Sequence, residues 1–328
     1  MKKFVNGIDD MLSEALAGFG RAHADLVTVH QDPAFVTRAT PTAKGKVALI
    51  SGGGSGHEPL HAGFVGSGML DAACPGAVFT SPTPDQMVAA AEAVENGGGV
   101  LFIVKNYEGD VMNFEMATEM VACDQATVLT NDDCAVEDST YTTGRRGVAG
   151  TIIVEKIVGA LAEDGGDLGA CQALGQRVNG QTRSMGVALT SCTVPAAGSP
   201  TFAIGDDEME MGVGIHGEPG RTRVKLKSAD EIAAEMVDAI AADLGPKAGR
   251  DVLLLVNGFG ATPTMELYLV FDAAAKRLAG KQLNVTRSLV GNYCTSLDMA
   301  GCSLTVTVLD DQLSAYWDAP VHTAGLRW

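Results

Sequence analysis

The chain has 328 residues, 46% hydrophobic and 19% charged, with 40 glycines and a formal net charge of −17. That length holds one large domain or two of ordinary size around a substantial core, and the glycines cluster beside apolar runs, as in an α/β protein with many tight turns, which excludes a disordered linker. The acidic balance argues against nucleic acid as partner, because backbone binders need basic stripes for counterion release, and no apolar run reaches the ~20 residues of a membrane helix.

In chain order, an amphipathic stretch over residues 11–19 predicts a first helix, and a proline-marked loop follows through Pro33 and Pro41. Residues 47–50 read as a short buried strand closed by the run Ser51-Gly52-Gly53-Gly54-Ser55-Gly56. A helix is expected to start close to His57, with Pro59 in its first turn, where proline is tolerated. Strand 77–80, helix 85–95, strand 99–104, helix 112–123 and strand 126–130 come next, then helices over 147–162 and 168–183. A second unit begins near Gly186, with an apolar run ending in His216, helix 229–244, strand 252–256, helix 264–278 and strand 283–289.

Apolar strands alternating with helices predict an α/β fold with two domains, each a mixed, mostly parallel sheet flanked by helices. The boundary is placed between 184 and 185. The first domain (1–184) carries the glycine-rich loop, Lys105 and Asp110, and the second (185–328) carries His216. In such sheets ligands bind beyond the strand carboxyl ends, so His57, Lys105 and Asp110 fall on one functional edge.

Seven cysteines, an odd number with no C-x-x-C pair, fit reduced thiols in a cytoplasm better than a disulfide framework or a zinc ribbon. Lys2-Lys3 is followed by Asp9-Asp10 and Glu14 without an apolar region, so no secretory signal is read. A cytoplasmic protein is expected.

Two histidines sit in similar glycine settings, Ser55-Gly56-His57-Glu58-Pro59 and Ile215-His216-Gly217-Glu218-Pro219. Glycine lets a ligand approach closely, and an open imidazole can serve as base, acid, nucleophile or metal ligand. The pairing suggests one polar pocket built from two parts of the chain. His57-Glu58-Pro59-Leu60-His61 formally satisfies H-E-x-x-H, but a zinc peptidase needs both histidines on one established helix, and glycines precede His57 while Pro59 intervenes. The glycine cluster lacks the lysine of a P-loop and the final glycine of a dinucleotide fingerprint. Asp110 could cap a helix beginning at Val111 or act in catalysis. His61 reads as structural, Arg145-Arg146 and the stretch 221–227 as solvated faces, and Asp132-Asp133 as an acidic loop able to meet a cation.

Ser51-Gly-Gly-Gly-Ser-Gly-His-Glu-Pro59, Phe79-Thr-Ser-Pro-Thr-Pro84, Lys105-Asn-Tyr-Glu-Gly-Asp110, Gly214-Ile-His-Gly-Glu-Pro219, Tyr293-Cys-Thr-Ser-Leu-Asp-Met299 and Trp317-Asp-Ala-Pro-Val-His322 occur in this order. Together they resemble the dihydroxyacetone kinase K-subunit family over essentially the whole chain. The resemblance implies an alcohol-group phosphotransferase subunit, usually a homodimer, that captures a short ketose. It implies covalent attachment of the carbonyl to His216 as a hemiaminal, with His57 and Asp110 as the acid–base pair. Gly54, Ser55, Gly56, His57, Lys105, Asp110 and His216 are then the substrate residues, with no metal site.

A bond to the carbonyl would also let so small a ligand be held selectively and would reject glycerol. Attack needs a neutral imidazole, so capture should weaken in acid. The chain ends at Trp328 without the nucleotide-binding extension of ATP-using relatives. The expectation is therefore that it binds no cofactor itself, that ADP or ATP and Mg²⁺ sit on a separate L subunit, and that a phosphotransferase-system phosphocarrier recharges that subunit. A ketose-sensing coactivator and a kinase subunit for a four-carbon ketose such as erythrulose stand as alternatives.

Overall fold

The apolar runs assemble into two six-stranded sheets, each in its own compact unit of the chain. The structure is a computed structural model that describes residues 2–135, 144–218, 220–246 and 250–328. Helix α1 (Met11–Ala22) precedes a hairpin of β1 (Val27–Gln31) and β2 (Ala34–Arg38). Then come β3 (Ala48–Ser55), a 3-10 turn at Ala62–Phe64, β4 (Gly66–Ser67), β5 (Ala72–Val78), α2 (Pro84–Val94), β6 (Val100–Lys105), α3 (Glu108–Met120) and β7 (Gln125–Thr130). Helices α4 (Gly150–Glu163) and α5 (Leu168–Gly180) follow.

The first sheet runs β1-β2-β5-β3-β6-β7. β3 lies parallel between β5 and β6, β6 pairs parallel with β7, and the hairpin adds the antiparallel edge. β3 and β6 are buried along their whole length, as the continuous apolar reading of β6 requires. α2 begins where the sequence says it must. Thr83 and Gln86 form a capping box and Pro84 occupies the first turn.

The later elements are β8 (Thr182–Ala188), β9 (Glu208–Met211), β10 (Thr222–Lys225), α6 (Ala229–Leu244), β11 (Asp251–Gly258), α7 (Thr264–Gly280), β12 (Asn284–Gly291), β13 (Gly301–Val308), α8 (Asp311–Asp318) and β14 (His322–Thr323). The second sheet runs β10-β9-β8-β13-β11-β12. α6 is opened by a Ser228–Glu231 capping box and closed by Gly245 at φ 70°. It turns Ile232, Ala233, Met236, Val237 and Ile240 into the core of its own unit beside Leu254 and Leu304.

Each unit has a mixed sheet with helices, as expected, but the parallel majority holds only for the first. In the second, β11 and β12 are parallel and the other pairs antiparallel: β13 enters between β8 and β11 in the opposite sense, and β8, β9 and β10 alternate in direction. The units also interleave where the sequence reading placed one boundary at 184/185. Residues 1–130, 151–177 and 315–328 form one, and 131–150 with 178–314 the other. The C-terminus returns to the first unit because β14 pairs with β4.

Candidate functional site

The glycine run does not close a strand and open a helix; it is the strand. β3 continues through Gly52, Gly53 and Gly54 to Ser55, and residues 56–61 form turns that lead to the 3-10 turn, so no helix starts at His57. The glycines are required by what lies against them. A Cβ on Gly52 would sit 2.6 Å from the Cys74 carbonyl oxygen, one on Gly54 2.6 Å from the Thr80 nitrogen, and one on Gly53 2.1 Å from Lys105 Nζ. The run admits a neighbouring backbone and a lysine head, which is the close-approach use of glycine.

At the carboxyl edge of this sheet the expected residues of the first unit do gather. Lys105 is the last residue of β6 and Asp110 lies in the first turn of α3. Asp110 makes no cap, since the helix already begins at Glu108. Its Oδ2 is 3.6 Å from Lys105 Nζ, and its buried Oδ1 takes no hydrogen bond among the described residues. Burial raises the Asp110 carboxyl above its ordinary range, with the Lys105 cation opposing. Ser55 Oγ donates to the Gly76 carbonyl at 2.7 Å, and Gly56, at φ 102°, donates its N–H to the Glu58 carboxylate. His57 is buried, 1% exposed, with its ring stacked on Phe79 at 5.0 Å between centroids.

His61 is buried and engaged at both ring nitrogens. Its Nε2 lies 2.9 Å from Lys105 Nζ, and its Nδ1 lies 2.6 Å from Oε1 of Glu155 on α4. Lys105 also donates to the Gly52 carbonyl at 3.2 Å. Lys105 and Glu155 are both 0% exposed. Burial lowers the His61 imidazole well below its usual value, reinforced by the Lys105 charge. Burial likewise pushes Glu155 up to about 8 against the pull of Lys105. With both ring nitrogens of His61 so engaged, and neither His57 nor His61 on a helix, the H-E-x-x-H spacing has no peptidase geometry. His61, Gly54 and Ser55 border a cavity of about 450 Å³ within the first unit, together with Leu12, Leu16 and Phe19 of α1.

In the second unit His216 lies on the connection between β9 and β10, five residues beyond Met211, and not at the end of a parallel strand. It is half-buried. Its backbone N–H donates to Oε2 of Glu218 at 2.9 Å, while Oε1 of Glu218 accepts from Arg146 at 3.0 Å. Both glycine-flanked motifs thus use the glutamate before their proline to hold the N–H two residues back, at Gly56 and at His216. Pro219 of the second motif lies outside the described residues.

Arg146 is 1% exposed and not a solvated face. It bonds Asp133 at 2.7 Å and the Gly212 carbonyl at 2.8 Å. The acidic pair is likewise spent inside the protein. Asp132 accepts the backbone N–H groups of Val148 and Gly150 and the Ser184 hydroxyl, and Asp133 holds Arg146. Burial raises Asp133 to about 6, with Arg146 opposing. The exposed strand β10 does match the solvated reading of residues 221–227.

Among the described residues no helix is long and apolar enough to cross a membrane. The Dak1 domain model matches residues 17–325. The chain is 49% identical to the "PEP-dependent dihydroxyacetone kinase, dihydroxyacetone-binding subunit DhaK" of Escherichia coli, covering 100% of this chain and 99% of that protein. It is 50% identical to a PTS-dependent counterpart from Listeria innocua, covering 95% of each. Among solved structures it is similar to the dihydroxyacetone kinase operon co-activator DhaQ, with a TM-score of 0.89, 35% identity and 95% of this chain and 96% of that chain covered. The C. freundii dihydroxyacetone kinase gives a TM-score of 0.88 at 34% identity, with 99% of this chain and 60% of that chain covered. With a buried carboxylate, lysine and histidines gathered beside a glycine-rich strand, and the Dak1 model matching residues 17–325, the chain belongs to the Dak1 family of dihydroxyacetone kinases.

Proposed function

We propose that this chain is the ketose-binding subunit of a dihydroxyacetone kinase and presents dihydroxyacetone for phosphoryl transfer, giving dihydroxyacetone phosphate. The observation that carries the reading is near-half identity, over whole lengths, with subunits named for binding dihydroxyacetone in kinases driven by phosphoenolpyruvate. His216 is the nucleophile. Its neutral imidazole adds to the carbonyl carbon, the carbonyl oxygen gains a proton and the ring gives one up, leaving a neutral hemiaminal.

Asp110 and His57 are the acid–base pair. The oxygen of Asp110 that takes no hydrogen bond among the described residues is suited to accept the hydroxyl proton as that oxygen attacks phosphorus. Lys105 supplies positive charge beside it, and Gly54, Ser55 and Gly56 bring backbone close to the substrate. Nucleotide and Mg²⁺ belong to a separate L subunit, recharged by a phosphocarrier, and this chain works in the cytoplasm as a homodimer. Transfer otherwise rests on positioning and neutralised charge.

Reconstitution tests the reading. The chain with dihydroxyacetone, an L subunit, phosphocarrier proteins and phosphoenolpyruvate should yield dihydroxyacetone phosphate, whereas the chain with Mg-ATP alone should yield none. The intact mass should rise by one ketose in the native chain and stay unchanged in His216→Ala. An unmodified native mass in saturating dihydroxyacetone would overturn the covalent step. Similarity to the co-activator supports a second reading as a sensor, in which the ketose binds and no phosphate moves even with the L subunit present. A relative named L-erythrulose 1-kinase, 41% identical, makes erythrulose the competitor to assay beside dihydroxyacetone.

A further inference from the structure

Lys105 has no water-facing surface, yet its ammonium carries three N–H groups that each need an acceptor. The Gly52 carbonyl takes one at 3.2 Å and His61 Nε2 lies 2.9 Å away. An ammonium can only donate, so Nε2 must present its lone pair. The ring proton then resides on Nδ1, which lies 2.6 Å from Glu155 Oε1 and donates to it. That oxygen accepts whether Glu155 is a carboxylate or a carboxylic acid, so the bond survives either state.

With two of its N–H groups committed, the lysine has one left. Asp110 Oδ2, at 3.6 Å, is beyond good hydrogen-bond length. The remaining N–H is therefore held at the carboxylate without being consumed by it. The neighbouring strand β3 makes room for this placement, since any Cβ at position 53 would occupy the space of Nζ.

We propose that His61 and Glu155 are positioning residues for phosphoryl transfer, a buried pair that fixes Lys105 in one orientation and so aims its last N–H at Asp110 and at the substrate oxygen between them. The inference rests on the kinase reading above. It adds two residues, from the turn after β3 and from the middle of α4, to the set that acts on the substrate. Neither touches the substrate; both act through Lys105. Loss of such orientation slows the chemical step more than it weakens capture, because capture is assigned to His216. A displacement of the order of 1 Å in a positioning group costs about 100-fold in rate.

Two measurements on the full chain decide it. The first needs no activity. ¹⁵N NMR of the histidine rings, with His61 assigned by its loss in His61→Gln, should show a neutral ring protonated on Nδ1 from mild acid to mild alkali. An Nε2-protonated or doubly protonated ring overturns the proposal. The second is the reconstituted kinase assay. His61→Leu and Glu155→Leu should lower kcat about 100-fold, with KM for dihydroxyacetone changed less than about threefold. His61→Gln and Glu155→Gln, which keep hydrogen-bonding atoms in place and guard against misfolding, should recover most of that loss. Native kcat in a folded His61→Leu protein sinks the inference and leaves the kinase reading standing. If the native chain transfers no phosphate, the kinase reading falls, and the ring spectrum still decides whether the pair holds Lys105.

Discussion

Arg146 Nη1 donates to Glu218 Oε1 at 3.0 Å, and the other oxygen of the same carboxylate accepts the backbone N–H of His216 at 2.9 Å. The His216 loop is therefore tied to a guanidinium that is itself fixed by Asp133 and the Gly212 carbonyl. The space for this clamp is made by Gly214, where a Cβ would fall 2.0 Å from Glu218 Oε1. Such a loop has its main chain settled before any ligand arrives.

Removing the arginine should be costly. Arg146→Gln leaves Asp133 and Glu218 buried without their cation, and a broken buried pair costs about 3–5 kcal/mol. Arg145→Gln, which disrupts a partly exposed pair with Asp243, should cost about 1 kcal/mol or less. Urea unfolding of the two variants checks the contrast. Equal midpoints would show that the clamp contributes nothing special.

Asp110→Asn should keep the ketose mass on the chain while kcat falls by about 10²–10⁴, the usual worth of a general base. The native rate should also carry an acid limb. Burial raises the Asp110 carboxyl, so on acidification it takes up its proton, and stops accepting one from substrate, at a higher pH than an ordinary carboxylate. The rate therefore rises with pH through that raised value. The limb should vanish in Asp110→Asn, and a variant that keeps it would assign the titration elsewhere.

Much of this was legible in the sequence. The placement of Lys105 and Asp110 followed from apolar strands alternating with helices and the rule for strand carboxyl ends. What escaped was of two kinds. β13, Gly301–Val308, was not foreseen because its alternating threonines and small residues match a buried antiparallel strand only once its neighbours β8 and β11 are known. His61 was read as structural because the expected helix at 57 hid the turn that aims it at Lys105. Its partner did leave a mark. Glu155-Lys156 interrupts the apolar run Ile152-Ile153-Val154 and Ile157-Val158 in a helix otherwise fit for a core, and a charge in that position demands a buried partner. Arg146 gave no such signal, since its neighbour Arg145 is only half-buried and local sequence does not separate the two.

Glycine substitutions give a direct test of close approach. Gly53→Ala places a methyl 2.1 Å from Lys105 Nζ, so the lysine head must move. The expected result is a folded protein, less stable by about 1–3 kcal/mol, with kcat reduced by about 100-fold. Gly18→Ala, within α1 and with nothing inside 4 Å of its new methyl, should instead gain about 0.5–1 kcal/mol. Steady-state kinetics beside thermal melts separate the two effects. Normal turnover in Gly53→Ala would mean that the lysine's position is not critical.

The last expectation concerns stability against pH, and its sign follows from Glu155. Its carboxyl lies at about 8 in the folded chain and near 4.5 once unfolded. Between those values the folded state holds a proton that the unfolded state has released, so the contribution of Glu155 to native stability declines as pH rises through that window and levels off above about 8. Glu155→Gln cannot ionise and escapes this decline. His61 faces Glu155 directly and is kept neutral by burial; it contributes the same slope to both proteins and drops out of the difference. The stability of Glu155→Gln minus that of the native chain, measured by denaturant midpoints, should therefore grow from about pH 4.5 to about pH 8 and then hold constant. Parallel profiles across that window would show that Glu155 ionises in the folded chain as readily as in water, with Lys105 and His61 fully compensating its burial.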